Sequence, residues 1–292
     1  VLPTRDLDTV VDIALAAGRV LAAAFGGGPA PLLGRRHVAG TKTGEFDLVT
    51  ETDRASEALL VERLAAAFPG DAILAEEGGD QGGDQGGDQG GDQGGDQGGE
   101  KTGAEARWIV DPLDGTTNFV HGLPFFCVAI ARERDGEVDL AVIHAPILDL
   151  TFTAERGGGA HCNGRALRVS ESASLERALL ATGFPVDRER ANNFIQFAAV
   201  KRRARAVRRY GSASLDQAMV AAGTFDAYWE MRIKPWDVAP GSLIVSEAGG
   251  RVTGWLGERL RLEVGAIVAS NGRIHDELLA VLAAAGIPDA VR

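Results

Sequence analysis

The sequence is poor in sulfur and imidazole: 292 residues include two cysteines, two methionines and five histidines. Two cysteines, Cys127 and Cys162, are too few for a disulfide framework, and Cys127, inside an apolar strand-like run, reads as a buried free thiol. A membrane-spanning apolar run is also missing. The N-terminal apolar segment carries Asp6, Asp8, Asp12 and Arg19 at helical spacing, so it reads as an amphipathic helix and neither as a signal peptide nor as a span. These absences point to a reduced, cytoplasmic setting with no membrane partner. Excess positive charge is lacking too. The net charge is −11, and Asp80, Asp84, Asp88, Asp92 and Asp96 lie in one repetitive tract. A general nucleic-acid binder is therefore not expected. The local basic cluster of Lys201, Arg202, Arg203, Arg205, Arg208 and Arg209 reads as a solvated helix face or subunit edge, with an anion site as the alternative.

What is present is an ordinary globular composition, 45% hydrophobic and 24% charged. The length suits one large domain with ample core. Leu7, Val10, Val11, Ala14, Leu15, Gly18, Leu21 and Phe25 predict an amphipathic helix closed by Gly26-Gly27-Gly28-Pro29. A Gly- and Lys-containing segment follows to Gly44. A second helix is expected over 53–68, and a short strand over 72–75 that delivers Glu76-Glu77. Gly-Gly-Asp-Gln then repeats five times from Gly78 to Gln97. With no apolar residue to bury, this tract reads as a flexible exposed insertion over 78–101. Strand-like runs at 126–132, 140–144 and 149–153 predict an antiparallel meander, and Asn163-Gly164 a tight turn. Later helices are expected at 212–222, 238–248 and 274–285, with strands at 251–253 and 266–269. Meander and αβ alternation together indicate a mixed α/β, or α+β, layered enzyme. It is read as a single domain over 1–292, with a division near 150–185 as the alternative.

The most informative stretch is Trp108-Ile109-Val110-Asp111-Pro112-Leu113-Asp114-Gly115-Thr116-Thr117-Asn118-Phe119. Trp108 to Val110 reads as the end of a buried strand that Asp111-Pro112 stops. Gly115 permits a tight backbone, and Thr116, Thr117 and Asn118 suit a helix start with free N–H groups. Two aspartates at a strand exit repel each other unless a cation lies between them, and a helix N-terminus beside them favours an anion. Mg²⁺ and phosphate satisfy both. An Asp/Gly/Thr turn without chemistry is the competing reading. Glu76, Asp237 in Lys234-Pro235-Trp236-Asp237, and Asp53 in Asp47-Leu48-Val49-Thr50-Glu51-Thr52-Asp53 each pass, in isolation, for a surface acid or a helix cap.

In combination these segments resemble the inositol monophosphatase family of Mg²⁺-dependent, lithium-sensitive phosphatases. Asp111 to Phe119 is similar to its first signature. Trp236-Asp237-Val238-Ala239-Pro240-Gly241 with Glu247-Ala248-Gly249-Gly250 is similar to its second. The resemblance runs from the first helix to the last, interrupted by the repeats. It implies the layered helix-and-sheet sandwich shared with fructose-1,6-bisphosphatase, a homodimer, and two or three Mg²⁺ ions, with Mn²⁺ as a substitute. Glu76, Asp111 and the Leu113 carbonyl would hold the first ion, and Asp111, Asp114 and Asp237 the second. Thr116 with Glu76 would orient the attacking water, Asp53 standing behind Thr116. Gly115 and Thr116 N–H groups would hold phosphate oxygens, and Lys42 would sit on a mobile loop over the site. All-oxygen ligands suit Mg²⁺ or Mn²⁺, not Zn²⁺. Paired ions can lower the pKa of the attacking water, so no Cys or His nucleophile is then required, and none of the five histidines falls in these motifs.

The expected activity is hydrolysis of inositol 1-phosphate or a similar polyol phosphate. Glu230, in Asp226-Ala227-Tyr228-Trp229-Glu230, would accept ring hydroxyls, with Asp114, Ala213 and Asp237 as further substrate contacts. Fructose 1,6-bisphosphate and histidinol phosphate stay open as substrates. A regulatory binding protein with secondary catalysis is the reading from another class.

Overall fold

The computed structural model describes residues 4–26, 40–41, 48–81, 106–185 and 193–288. Helix α1 (Arg5–Phe25) starts at Thr4, whose Oγ1 accepts the Leu7 N–H, and ends at Gly26. Two short strands, β1 (Gly40–Thr41) and β2 (Leu48–Val49), pair with each other and lead to α2 (Glu51–Ala67). Thr50 and Asp53 cap α2 reciprocally, each side chain accepting the other's backbone N–H.

The chain then builds an eight-stranded sheet from β3 (Ala72–Ala75), β4 (Gly79–Gln81), β5 (Arg107–Asp114), β6 (Cys127–Arg134), β7 (Glu137–Ala145), β8 (Leu150–Glu155), β9 (Gly159–Cys162) and β10 (Arg165–Ala166). Its order is β10-β9-β8-β7-β6-β5-β3-β4, antiparallel throughout except for the β3–β5 pair. The predicted meander is β6–β7–β8. The central strands are apolar on both faces because both are covered. Trp108, Val110, Val128, Ile130, Leu140 and Val142 pack under α1 and α2, while Ile109, Ala129, Ala131, Ala141 and Ile143 face the other way.

After β10 the chain crosses to a five-stranded sheet of order β12-β11-β13-β15-β14. Its strands are β11 (Leu179–Thr182), β12 (Ala206–Arg208), β13 (Ala227–Met231), β14 (Arg251–Thr253) and β15 (Ala266–Ser270). Helices α5 (Ala213–Ala221) and α6 (Pro235–Glu247) lie between the sheets and touch both. The outer face packs on α4 (Phe194–Lys201) and α7 (His275–Ala284). A five-residue helix, α3 (Thr116–Val120), follows β5. The result is the layered helix-and-sheet sandwich expected, in five layers.

Three local readings differ from expectation. Pro112 does not stop β5: the strand continues to Asp114 through a bulge, where pairing shifts from Asp111↔Ala129 to Asp114↔Cys127. A bulge tolerates a residue without an N–H and re-aims the side chains beside it. Helix α6 starts at Pro235, three residues before the expected Val238, because Pro suits the first helical turn. The opening Gly-Asp-Gln of the repeats forms the edge strand β4, with Ala75↔Gly79, Leu74↔Asp80 and Ile73↔Gln81 paired. The remaining repeats lie outside the described residues.

His275 supplies a stability prediction. Buried, it lies 2.8 Å from Ser270 Oγ and 2.9 Å from Thr253 Oγ1. Thr253 donates to the Gly254 carbonyl and Ser270 accepts from the Gly272 N–H, which assigns the proton to Nε2 of a neutral ring. Burial, then Arg251, lowers its pKa from 6.5 to about 4 against the pull of Asp276. The unfolded chain binds this proton first, so stability is present above pH 6.5 and lost as pH falls toward 4, by up to ~3 kcal/mol. Urea midpoints measured across that window should fall less steeply in His275→Gln than in the parent.

Candidate active site

The β5 bulge and the first turn of α6 bring three aspartates together. Asp111, Asp114 and Asp237 each offer a carboxylate oxygen, all within 4.8 Å of one another. Asp111 and Asp114 are buried and Asp237 is half-buried. Asp111 accepts the Leu113 N–H at 3.0 Å. Asp114 accepts from Ser212 Oγ (2.9 Å), Ala213 N–H (3.1 Å) and Ser214 N–H (2.7 Å), with the Cys127 thiol at 3.7 Å. Asp237 is the third residue of α6, not its cap, and its Oδ2 accepts the Lys234 N–H at 2.7 Å. The Asp237 carbonyl is held by Gln217 Nε2 at 2.7 Å. Glu76, just past β3, stands close enough to Asp111 for its charge to add to burial in raising the Asp111 pKa, and the Glu77 N–H after it is fixed on Glu57 at 2.7 Å.

Burial raises the pKa of all three aspartates. For Asp111 the charges of Glu76, Asp114 and Asp237 add to burial; for Asp237, those of Asp114 and Glu76. At Asp114 the donors from Ser214, Ser212 and Ala213 oppose the rise. Among the described residues no lysine or arginine forms an ion pair with these three. Buried like charges without a counterion are costly, and a hard divalent cation with an all-oxygen preference relieves that cost. The donor set therefore fits Mg²⁺ or Mn²⁺.

Beside the cluster, Thr116 Oγ1 lies 3.0 Å from Asp53 Oδ1 and 3.1 Å from the Leu113 carbonyl. Asp53 joins two tasks, since its Oδ2 accepts the Thr50 N–H at 2.9 Å and also pairs with the Thr50 hydroxyl. Gly115 has φ 103°, and a Cβ there would meet the Phe125 carbonyl and Phe126 Cβ at 3.1 Å, so only glycine fits. The N–H groups of Gly115 and Thr116 stand where a helix start offers no intrahelical acceptor. Asn118, expected as a cap, instead ties α3 to the approach to α5, donating to the Phe125 (2.6 Å) and Tyr210 (2.7 Å) carbonyls.

Glu230, on β13, is buried and hydrogen-bonded to Tyr228; burial raises its pKa to about 7, against the effects of Tyr228 and Arg209. Ala213 contributes its N–H to Asp114. Lys42 and Asp47 lie outside the described residues. Gln217, Glu57 and Asp216 are supporting residues that sequence reasoning does not single out. Asp216, buried beside Glu230, carries an Oδ1 with no hydrogen-bond partner.

A layered sandwich that gathers carboxylates around a strand bulge and a helix start defines a class: a divalent-cation site built wholly from oxygen donors. The family model described as "Inositol monophosphatase family" matches residues 4–286. The chain belongs to that family, whose members are in general Mg²⁺-dependent phosphatases. It is 45% identical over 240 residues to the Pseudomonas aeruginosa protein named Nus factor SuhB, covering 81% of this chain and 83% of that protein. It is 42% identical over 241 residues to the Thermotoga maritima fructose-1,6-bisphosphatase/inositol-1-monophosphatase, covering 82% and 84%. Among solved structures, inositol monophosphatase from Anabaena superimposes with a TM-score of 0.79 at 38% identity over 95% of each chain. No described helix is long and apolar enough to cross a membrane.

Proposed function

We propose that the chain is a Mg²⁺-dependent phosphomonoesterase acting on inositol 1-phosphate or a similar polyol phosphate. The observation that carries this reading is the Asp111–Asp114–Asp237 cluster with the Thr116–Asp53 pair beside it. Glu76, Asp111, the Leu113 carbonyl, Asp114 and Asp237 would hold two or three ions. Divalent ions at such a site lower the pKa of water and offset charge on the leaving oxygen. Asp53 and the Leu113 carbonyl can only accept, so the Thr116 proton points to one of them and its lone pairs are left for the attacking water. Glu76 would accept that water's second hydrogen bond. The Gly115 and Thr116 N–H groups would hold phosphate oxygens. Glu230 would accept hydroxyl groups of the alcohol, with Asp114, Ala213 and Asp237 lining the same end. The reading includes the cytoplasmic homodimer that the family resemblance implies.

The Thermotoga maritima relative's name supports fructose 1,6-bisphosphate as a second substrate, and the Pseudomonas aeruginosa relative's name supports a regulatory role. Phosphate release by the purified protein, with and without Mg²⁺, decides among them. We expect Mg²⁺-dependent turnover, faster on inositol 1-phosphate than on fructose 1,6-bisphosphate or histidinol phosphate. No turnover on any of the three would overturn the phosphatase reading and favour the regulatory one.

A further inference from the structure

Glu230 is a long, flexible side chain, yet the structure leaves its carboxylate little freedom. Along β13 the side chains alternate: Ala227, Trp229 and Met231 enter the outer core, while Tyr228 and Glu230 share the face toward α5 and α6. Two residues apart on one face, the Tyr228 hydroxyl donates to Glu230 Oε2. Tyr228 is wholly buried, and burial and the neighbouring Glu230 keep its phenol protonated as a donor.

The opposite constraint comes from Gly183, directly after β11. A Cβ at this position would overlap both carboxylate oxygens of Glu230. The backbone there cannot retreat, because Asn193 Nδ2 donates to the Gly183 carbonyl at 2.8 Å and to Thr182 Oγ1 at 3.1 Å. Thr182 Oγ1 in turn donates to the Trp229 carbonyl at 2.6 Å, tying β11 to β13. Asp216 and Asp114 repel the Glu230 charge and Arg209 attracts it. Without a fixed donor, the carboxylate would follow the balance of those charges.

We propose that Tyr228 is a positioning residue which, against the bare Cα of Gly183, holds the Glu230 carboxylate at the angle that accepts the hydroxyl groups of a polyol phosphate. The pair thereby sets specificity for alcohols that present hydrogen-bond donors beside the ester. This rests on the reading of Glu230 as the acceptor of substrate hydroxyls.

The test compares kcat and KM of the purified protein on inositol 1-phosphate and on p-nitrophenyl phosphate, whose alcohol part offers Glu230 no hydroxyl. Assayed above the Glu230 pKa of about 7, where the carboxylate is ionised, Tyr228→Phe should raise KM for inositol 1-phosphate about ten-fold with kcat little changed, the size expected for one hydrogen bond to a charged group. The ratio of kcat/KM between the two esters should fall by the same factor. Gly183→Ala should lower that ratio independently. In a Glu230→Ala background, Tyr228→Phe should add nothing. If Tyr228→Phe lowers kcat/KM equally on both esters, or retains its own effect in Glu230→Ala, its role is structural and the proposal fails. If Glu230→Ala leaves the ratio unchanged, or the parent hydrolyses neither ester, the underlying reading fails and takes the proposal with it. Should Tyr228→Phe not fold, an unchanged ratio in Gly183→Ala overturns the proposal by itself.

Discussion

Asp111→Asn is expected to reduce phosphate release by about 10²–10³-fold or more, the range seen when one preorganised electrostatic group is removed from a reacting centre. The same change should make the metal-free protein more stable. Asp111 is buried against Glu76, Asp114 and Asp237, and all of these influences raise its pKa, so its charged form opposes folding when no cation is present. Asparagine keeps an oxygen for the Leu113 N–H and removes the charge. A gain of about 1 kcal/mol would raise the melting temperature by roughly 2 °C in a chain of this size. Added Mg²⁺ should reverse the order. It stabilises the parent through preferential binding to the folded state, and the variant far less. Melting curves in chelator and in Mg²⁺, beside the phosphate assay, check both halves. A variant that melts lower than the parent in chelator would show that Asp111 is held by its hydrogen bonds more than it is strained by its neighbours, against the electrostatic case for the cation.

Much of the candidate site is legible in the sequence because its central part is contiguous. Asp111, Leu113, Asp114, Gly115 and Thr116 lie within one run, and a strand leading to a turn brings such residues together whatever the rest of the chain does. The first helix and strands β3, β14 and β15 were legible for a similar reason, since apolar periodicity and terminal glycines are local signals. What escaped depends on contacts between distant segments. Asp114 is satisfied by Ser212 and by the N–H groups of Ala213 and Ser214, about a hundred positions away. No pattern around Asp114 records them. Pro112 misled because its local effect is to end a strand, whereas pairing with β6 on one side carries β5 through the bulge. Glycine gives another contrast. Gly115 announced a turn, but Gly183 matters only through its approach to Glu230, and that approach is set by the β11–β13 register. The repeats read as pure loop on composition, yet their first Gly-Asp-Gln forms strand β4 because the edge of β3 offers backbone partners to any extended segment.

The second large effect concerns Thr116 and Asp53. Thr116→Ala is expected to lower kcat by about 10²–10³-fold, within the range for loss of a group that manages a proton in the transition state. KM for inositol 1-phosphate should change little, and Thr116→Ser should restore most of the rate by returning the hydroxyl. Asp53 gives a different signature because its two oxygens serve different structures. Oδ1 takes the Thr116 hydroxyl at 3.0 Å, and Oδ2 completes the cap of α2 through the Thr50 N–H at 2.9 Å. Asp53→Ala should therefore cost both rate and about 1 kcal/mol of stability, the usual cost of a lost cap. Asp53→Asn separates the two roles. If the amide keeps its oxygen toward the Thr50 N–H, its NH₂ faces Thr116 and donates where the carboxylate accepted. The Thr116 proton is then turned toward the Leu113 carbonyl, and one of its lone pairs is taken up by the amide. Rate should fall while the helix cap survives. Full activity in Asp53→Ala, with only the melting temperature lowered, would reduce Asp53 to a helix cap and leave Thr116 to orient the water without it.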